Sequence, residues 1–145
     1  MAGGKYNFSK IKRKKGNKYL NKKVIHDGIE FASEKEGDRY LFLKEREFNG
    51  TITDLKPHVT FVLLPHVEEE YIKHLKTKDK VCKRIVQKSI TYICDFQYFK
   101  NGELIVEDIK PNKFLITETF KLKCKMMFFF HHIKIRIVYS PTEDI

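Results

Sequence analysis

Cysteine is scarce and unpaired in this sequence. Cys82, Cys94 and Cys124 are odd in number and widely spaced. Without a Cys-x-x-Cys pair there is no basis for a zinc ribbon. Cys94 and Cys124 sit in apolar patterns and read as buried free thiols. No histidine partner is signalled that would make either a nucleophile. Long apolar runs are missing too, and none approaches the ~18 residues of a membrane-spanning helix. The first residues, Met1 to Lys5, turn basic without an apolar signal core. The expectation is a cytoplasmic protein with no membrane partner. A Gly-rich phosphate loop is also lacking, which disfavours phosphoryl transfer from ATP. Acidic residues are in deficit: 19 Asp and Glu stand against 29 Lys and Arg, a formal charge of +10. That balance points to a polyanion as partner, either nucleic acid or an anionic membrane surface.

What is present is enough for one domain, since 145 residues can enclose a single core. Residues 1–21 read as a flexible basic arm, residues 22–139 as the folded domain and residues 140–145 as a loose tail. Lys10, Lys12, Arg13, Lys14, Lys15 and Lys18 crowd the arm, with Tyr6, Phe8 and Tyr19 among them. Such arms bind nucleic acid or merely solubilise; the aromatics suit stacking on bases or docking onto the domain.

The most informative stretch runs from Ser89 to Lys110. Two β-branched and aromatic runs flank Asn101-Gly102, the strongest short-range hairpin signal. A two-residue loop sets Lys100 opposite Glu103 and, further back, Asp95 opposite Asp108. Opposed residues share a sheet face with Cβ atoms roughly 4.5–5.5 Å apart. Lys110 joins Asp108 on that face, and Glu107 points away. Opposed carboxylates repel unless something offsets them, and a hard divalent cation would. An ordinary exposed edge with scattered charges is the plainer alternative. A loop one residue longer would put Glu107 opposite Asp95 instead.

Around this hairpin the remaining elements can be read in order. Asp27-Gly28 predicts a tight turn between Val24-Ile25 and Ile29-Glu30-Phe31. Ser33 and Glu36 form a capping box for a helix over residues 34–48, ended by Asn49-Gly50. Glu36, Tyr40 and Leu43 share its inner face, and Asp38 and Arg39 face solvent. Gly37 inside a helix costs on the order of 1 kcal/mol, which implies a close approach by a backbone or ligand. Residues 52–55 read as a short connection. Residues 58–64 read as a strand, apolar on both sides and so central in a sheet. Val67, Tyr71, Ile72 and Leu75 fit a short amphipathic helix within residues 65–80, with Lys76 to Lys80 a loop. Thr117 caps a second helix with Phe120, Cys124, Met127 and Phe128 as its core stripe. Lys121, Lys123 and Lys125 lie away from much of that stripe, solvated or in contact with phosphates. Residues 131–139 read as a last strand, Ile133, Ile135 and Ile137 alternating with Lys134 and Arg136.

Taken together, the order hairpin, helix with Glu36, strand with Asp95, strand with Asp108-x-Lys110, helix, strand resembles the PD-(D/E)XK nuclease superfamily. Within it the chain is similar to small phage proteins related to the TnsA-type and Holliday-junction-resolvase-like endonucleases. The matching pieces are Asp27 to Ser33, Glu36 with Arg39-Tyr40-Leu41, Tyr92 to Phe96, Asn101 to Lys110 and Thr119 to Lys125. The resemblance implies an α/β (α+β) fold with a restriction-endonuclease-like core, a mixed central sheet flanked by helices. It implies Mg²⁺- or Mn²⁺-dependent hydrolysis of DNA, branched DNA included. Asp95, Asp108, the Ile109 carbonyl and Glu36 would then hold the metal, and Lys110 would position the attacking water. Lys12, Arg13, Lys14, Lys15, Lys134 and Arg136 would hold phosphates without reading sequence. A homodimer is implied as well, with an edge strand or Phe128-Phe129-Phe130 to supply the contact, although core packing is the plainer role of those rings. The alternative is a phage protein that binds nucleic acid without cutting it.

Overall fold

A computed structural model describes residues 22–145. The basic arm, with Lys12, Arg13, Lys14 and Lys15, lies outside the described residues. Strands β1 (Val24–His26) and β2 (Ile29–Phe31) form the expected hairpin. Its turn residues Asp27 and Gly28 have φ of 51° and 78°, the left-handed pair that such a turn requires. Helix α1 (Glu34–Phe48) follows, and the Ser33 side chain accepts from the Glu36 amide. Its inner face is formed by Gly37, Arg39, Tyr40 and Leu43. A Cβ on Gly37 would collide with Val24 and His26, so the close approach comes from the β1 side chains. Arg39 does not face solvent: it is 0 % exposed. It lies three residues after Glu36 and four before Leu43, close enough to the buried stripe to be drawn in once a counter-charge is supplied.

Strands β3 (Thr53–Pro57), β8 (Phe96–Lys100), β9 (Glu103–Ile109) and β10 (Arg136–Val138) make a mixed sheet in the order β10-β9-β8-β3. Only β10 runs parallel to its neighbour. Residues 53–57 are thus a strand rather than a connection. Phe96 and Tyr98 of β8 face α1, packed with Phe31, Tyr40, Leu43 and Ile52. Val106 of β9 faces the other way, packed with Leu63, Tyr92, Cys94 and with Phe120 and Met127 of α2 (Glu118–His131). The two helices therefore cover opposite sheet faces. Each fully buried side chain of this size contributes roughly 1.5–3 kcal/mol.

The sequence-based assignment fails for the connection between β3 and β8. Strand β4 (Thr60–Leu64) pairs with β7 (Ile90–Ile93) alone, so it is not central, and Val62 is exposed. Residues 65–80 hold no helix. Strand β5 (Val67–His74) pairs with β6 (Asp79–Gln87) as an antiparallel ribbon. The helical spacing of Val67, Tyr71, Ile72 and Leu75 was outweighed by a β-branched partner, Val81 to Val86, that pairs with it.

Near the carboxyl end, α2 continues through His131, and His132 closes it at φ 57°. The expected strand over 131–139 shrinks to 136–138. Phe128 lies eight residues after Phe120, about 80° further round the helix, and is 62 % exposed rather than core. Phe129 and Phe130 are exposed with it. Residues 140–145 are docked, not loose: Arg39 donates to the Pro141 and Glu143 carbonyls, and Lys100 and Arg136 to those of Ile145 and Asp144.

Candidate active site

The register of the β8–β9 hairpin decides where the acidic residues go. Lys100 faces Glu103, and the ladder runs back to Phe96 facing Glu107. One step further, Asp95 lies just beyond the paired ladder: its amide donates to the Glu107 carbonyl at 3.2 Å, and its carboxyl feels the charge of Asp108. The Ile109 amide donates to Asp95 Oδ2 at 2.7 Å. The chain bends here, because His58 donates to the Asp95 carbonyl while Cys94 donates to that of Val59. Residues 90–100 are thus shared between two sheets, with Asp95 at the junction.

Asp108 is 3 % exposed. Its Oδ2 accepts from the Tyr92 hydroxyl at 2.9 Å. Its Oδ1 is buried and faces the Lys110 ammonium, without a well-formed hydrogen bond. Lys110 is held by its backbone amide, which donates to the Val138 carbonyl at 2.8 Å. Its ammonium lies 4.3 Å from the centre of the Phe120 ring. Glu36 sits at the start of α1, where it accepts from the Ala32 amide at 3.0 Å and from Ser33 Oγ at 3.2 Å. It lines a cleft of about 400 Å³ with Ser33, Ile109 and Lys110. Lys110 also borders a second cleft, of about 340 Å³, with Asp108, Tyr92, Thr117 and Lys123.

Burial pushes the Asp95 carboxyl up to about 7, reinforced by the Asp108 and Glu36 charges and opposed by the Ile109 amide and Lys110. The same burial, with Asp108 alongside, raises the Tyr92 hydroxyl. Tyr92 therefore stays protonated and donates. Burial also pushes the Cys94 thiol up to about 11, so it remains an inert thiol.

The structure brings Asp95, Asp108, Ile109 and Lys110 together, with Glu36 across the cleft. It does not bring Lys134 and Arg136 to them. Arg136 faces Glu107 at 3.2 Å on the opposite side of the sheet. Lys134 is exposed beside Phe128 and Phe129. Among the described residues, no three His, Cys, Asp or Glu side chains converge as a ready-made metal cage. The two carboxylates remain the place where a hard cation would be held, since Mg²⁺ asks for only one or two carboxylates and fills its shell with water and phosphate. The buried Asp108 Oδ1, met only by the Lys110 ammonium, fits that requirement.

Two contributors escaped the sequence reading. Tyr92 orients Asp108, and Phe120 cradles Lys110. Tyr92 lies three residues before Asp95 with the sheet junction between them, so alternation along one strand could not place it.

The molecule is thus a mixed α/β domain, mostly β, with an acidic pair and a lysine where two sheets meet. It belongs to the family described as "Protein of unknown function (DUF1064)", which matches residues 16–142. No curated protein and no solved structure matches the chain. No helix among the described residues is long and apolar enough to cross a membrane.

Proposed function

We propose that this chain is a metal-dependent DNA endonuclease of PD-(D/E)XK type, built on a restriction-endonuclease-like core. The observation that carries the reading is the partly buried Asp95 carboxyl within electrostatic reach of Asp108, whose buried Oδ1 is ion-paired with Lys110. Asp95, Asp108 and the Ile109 carbonyl are the residues that would hold Mg²⁺ or Mn²⁺, with Glu36 reaching it directly or through water. What the cation supplies when bound is Lewis acidity and a more acidic bound water.

The chain's own residues do the rest. The Ile109 amide fixes Asp95, and the Tyr92 hydroxyl fixes Asp108. Lys110, steadied on the Phe120 ring, orients the attacking water and offsets the charge that develops on the phosphate. The net charge of +10 favours DNA as the polyanion. Branched DNA is the preferred substrate class, cut by a homodimer in the cytoplasm.

The test is cleavage of a labelled four-way junction, with duplex and single-strand controls, in Mg²⁺, Mn²⁺ and EDTA. Paired, metal-dependent nicks near the branch, absent from Asp108→Ala, are expected. Full activity in Asp108→Ala would sink the assignment. A second reading, nucleic-acid binding without cleavage, draws support from the lack of a third converging ligand among the described residues. Binding without any metal-dependent cutting would establish it.

A further inference from the structure

The β5–β6 ribbon belongs to neither core cluster. Every residue of β5 is exposed, and in β6 only Cys82 is half-buried. A lone two-stranded ribbon is marginal in water, so this one is built to be covered. Its apolar side chains support that reading: Ile72, Val81 and Ile85 share one face and are 58, 62 and 59 % exposed.

Charge identifies the occupant. On the other face Lys73 stands directly opposite Lys80, and Lys76 and Lys78 lie in the turn between the strands. Opposed lysines repel unless an anion lies between them. None of these four lysines has an acidic partner among the described residues. Nearer the base two of the carboxylates are already ion-paired, Glu69 with Arg84 and Glu70 with Lys83, and Glu68 lies 3.2 Å from the His66 ring. The basic tip would repel the tip of a second copy.

The ribbon also continues the strand pair that supplies Tyr92, beginning six residues beyond Phe61, the partner of Tyr92. Leu64 faces Ile90 and Val67 faces Gln87, so β5–β6 keeps the register of β4–β7 across Pro65. Tyr92, which orients Asp108, is in β7. Eight residues of strand reach roughly 27 Å, a little under the ~34 Å helical turn of duplex DNA. The major groove admits a two-stranded ribbon.

We propose that β5–β6 is a DNA-gripping arm that lies in a groove of the duplex flanking the cleavage site, with Lys73, Lys76, Lys78 and Lys80 on phosphates and Ile72, Val81 and Ile85 shielded by the groove wall. The identity of the partner rests on the nuclease reading above. The arm acts on binding, so it is tested separately from the chemistry.

The experiment is fluorescence anisotropy of the full chain with a labelled duplex in EDTA, across a KCl series. Lys73→Gln/Lys76→Gln/Lys78→Gln/Lys80→Gln should lower the slope of log K against log salt by about 3–4, at about 0.9 for each phosphate no longer neutralised. Ile72→Ser/Val81→Ser/Ile85→Ser should weaken binding with the slope unchanged. An unaltered slope in the lysine variant, with the native chain still binding, overturns the arm and leaves the nuclease reading standing. Failure of the native chain to bind any DNA overturns both. Self-association of the native chain in sedimentation, abolished by the apolar triple variant, would assign the ribbon to a second copy and overturn the DNA arm.

Discussion

Replacing Arg39 by Met should be the most destabilising single change on the α1 side of the sheet. Its guanidinium is 0 % exposed, and it donates to Glu107 through Nε at 3.0 Å and Nη2 at 2.8 Å. Met preserves much of the volume but leaves Glu107, also fully buried, with one fewer counter-charge. Breaking a buried pair from one side costs about 3–5 kcal/mol, since the remaining charge is stranded. Glu107 keeps the Tyr98 hydroxyl at 2.6 Å and Arg136 at 3.2 Å, which places the cost at the low end. Lost donors to the Pro141 and Glu143 carbonyls add to it. A loss of about 3 kcal/mol is a large part of the 5–15 kcal/mol typical of a domain. At roughly 3 °C per kcal/mol the melting temperature should fall by about 10 °C. Urea denaturation followed by circular dichroism measures this directly. Arg39→Met/Glu107→Leu should recover much of the loss, because neither partner is left charged and alone. A single variant within about 1 kcal/mol of the native chain would refute the reasoning.

Two further outcomes follow from the geometry. In EDTA, stability should fall as pH rises from about 4 to about 7 through Asp95. Its folded carboxyl is raised to about 7, so the native state keeps a proton that the unfolded chain has already lost. Asp95→Asn should flatten that slope, and an unchanged slope in urea melts between pH 5 and 8 would remove Asp95 as its source. Gly37→Ala gains on the order of 1 kcal/mol in helix propensity but drives a Cβ into Val24 and to within 2.9 Å of the His26 ring. Overpacking of this kind costs about 1–3 kcal/mol, so a net loss is expected in thermal melts, partly restored by Val24→Ala. A gain in stability would mean that the β1 hairpin moves aside freely.

Local chemistry explains which parts of the chain could be read in advance. Asp27-Gly28, Asn101-Gly102, the Ser33 cap and the Thr117 cap act within a few residues, and each forms as expected. The hairpin register from Lys100–Glu103 to Phe96–Glu107 follows from its two-residue loop, and the ladder stops there, one residue short of Asp95. Arg39 could not be read this way, because its partner Glu107 is 68 residues distant. The β5–β6 ribbon was missed because four apolar residues at helical spacing also suit a strand once a partner pairs with them. Phe128 was placed in the core stripe by its spacing from Phe120, and core packing was the plainer role of Phe129 and Phe130, whereas all three are exposed.

Strand β9 places two charges of different purpose back to back. Glu107 points towards α1, where Arg39, Tyr98 and Arg136 satisfy it. Asp108, the next residue, points to the α2 side, where Tyr92 holds one oxygen and the other lies beside Lys110 without a formed hydrogen bond. Glu107 is held by several hydrogen bonds, whereas Asp108 relies on one hydrogen bond and the Lys110 ion pair. The alternation of a strand turns that difference into a separation of effects: damage at Glu107 should appear first as lost stability and, on the nuclease reading proposed above, damage at Asp108 as lost cleavage with the fold retained. A one-residue slip of the hairpin would exchange the two environments, bringing Glu107 towards Tyr92 and Asp108 towards Arg39. The shorter aspartate could not span the distance that the Glu107 side chain covers to the guanidinium. The buried Arg39–Glu107 pair therefore selects the register that presents Asp108 to Asp95, and the candidate site depends on a contact made on the far side of the sheet.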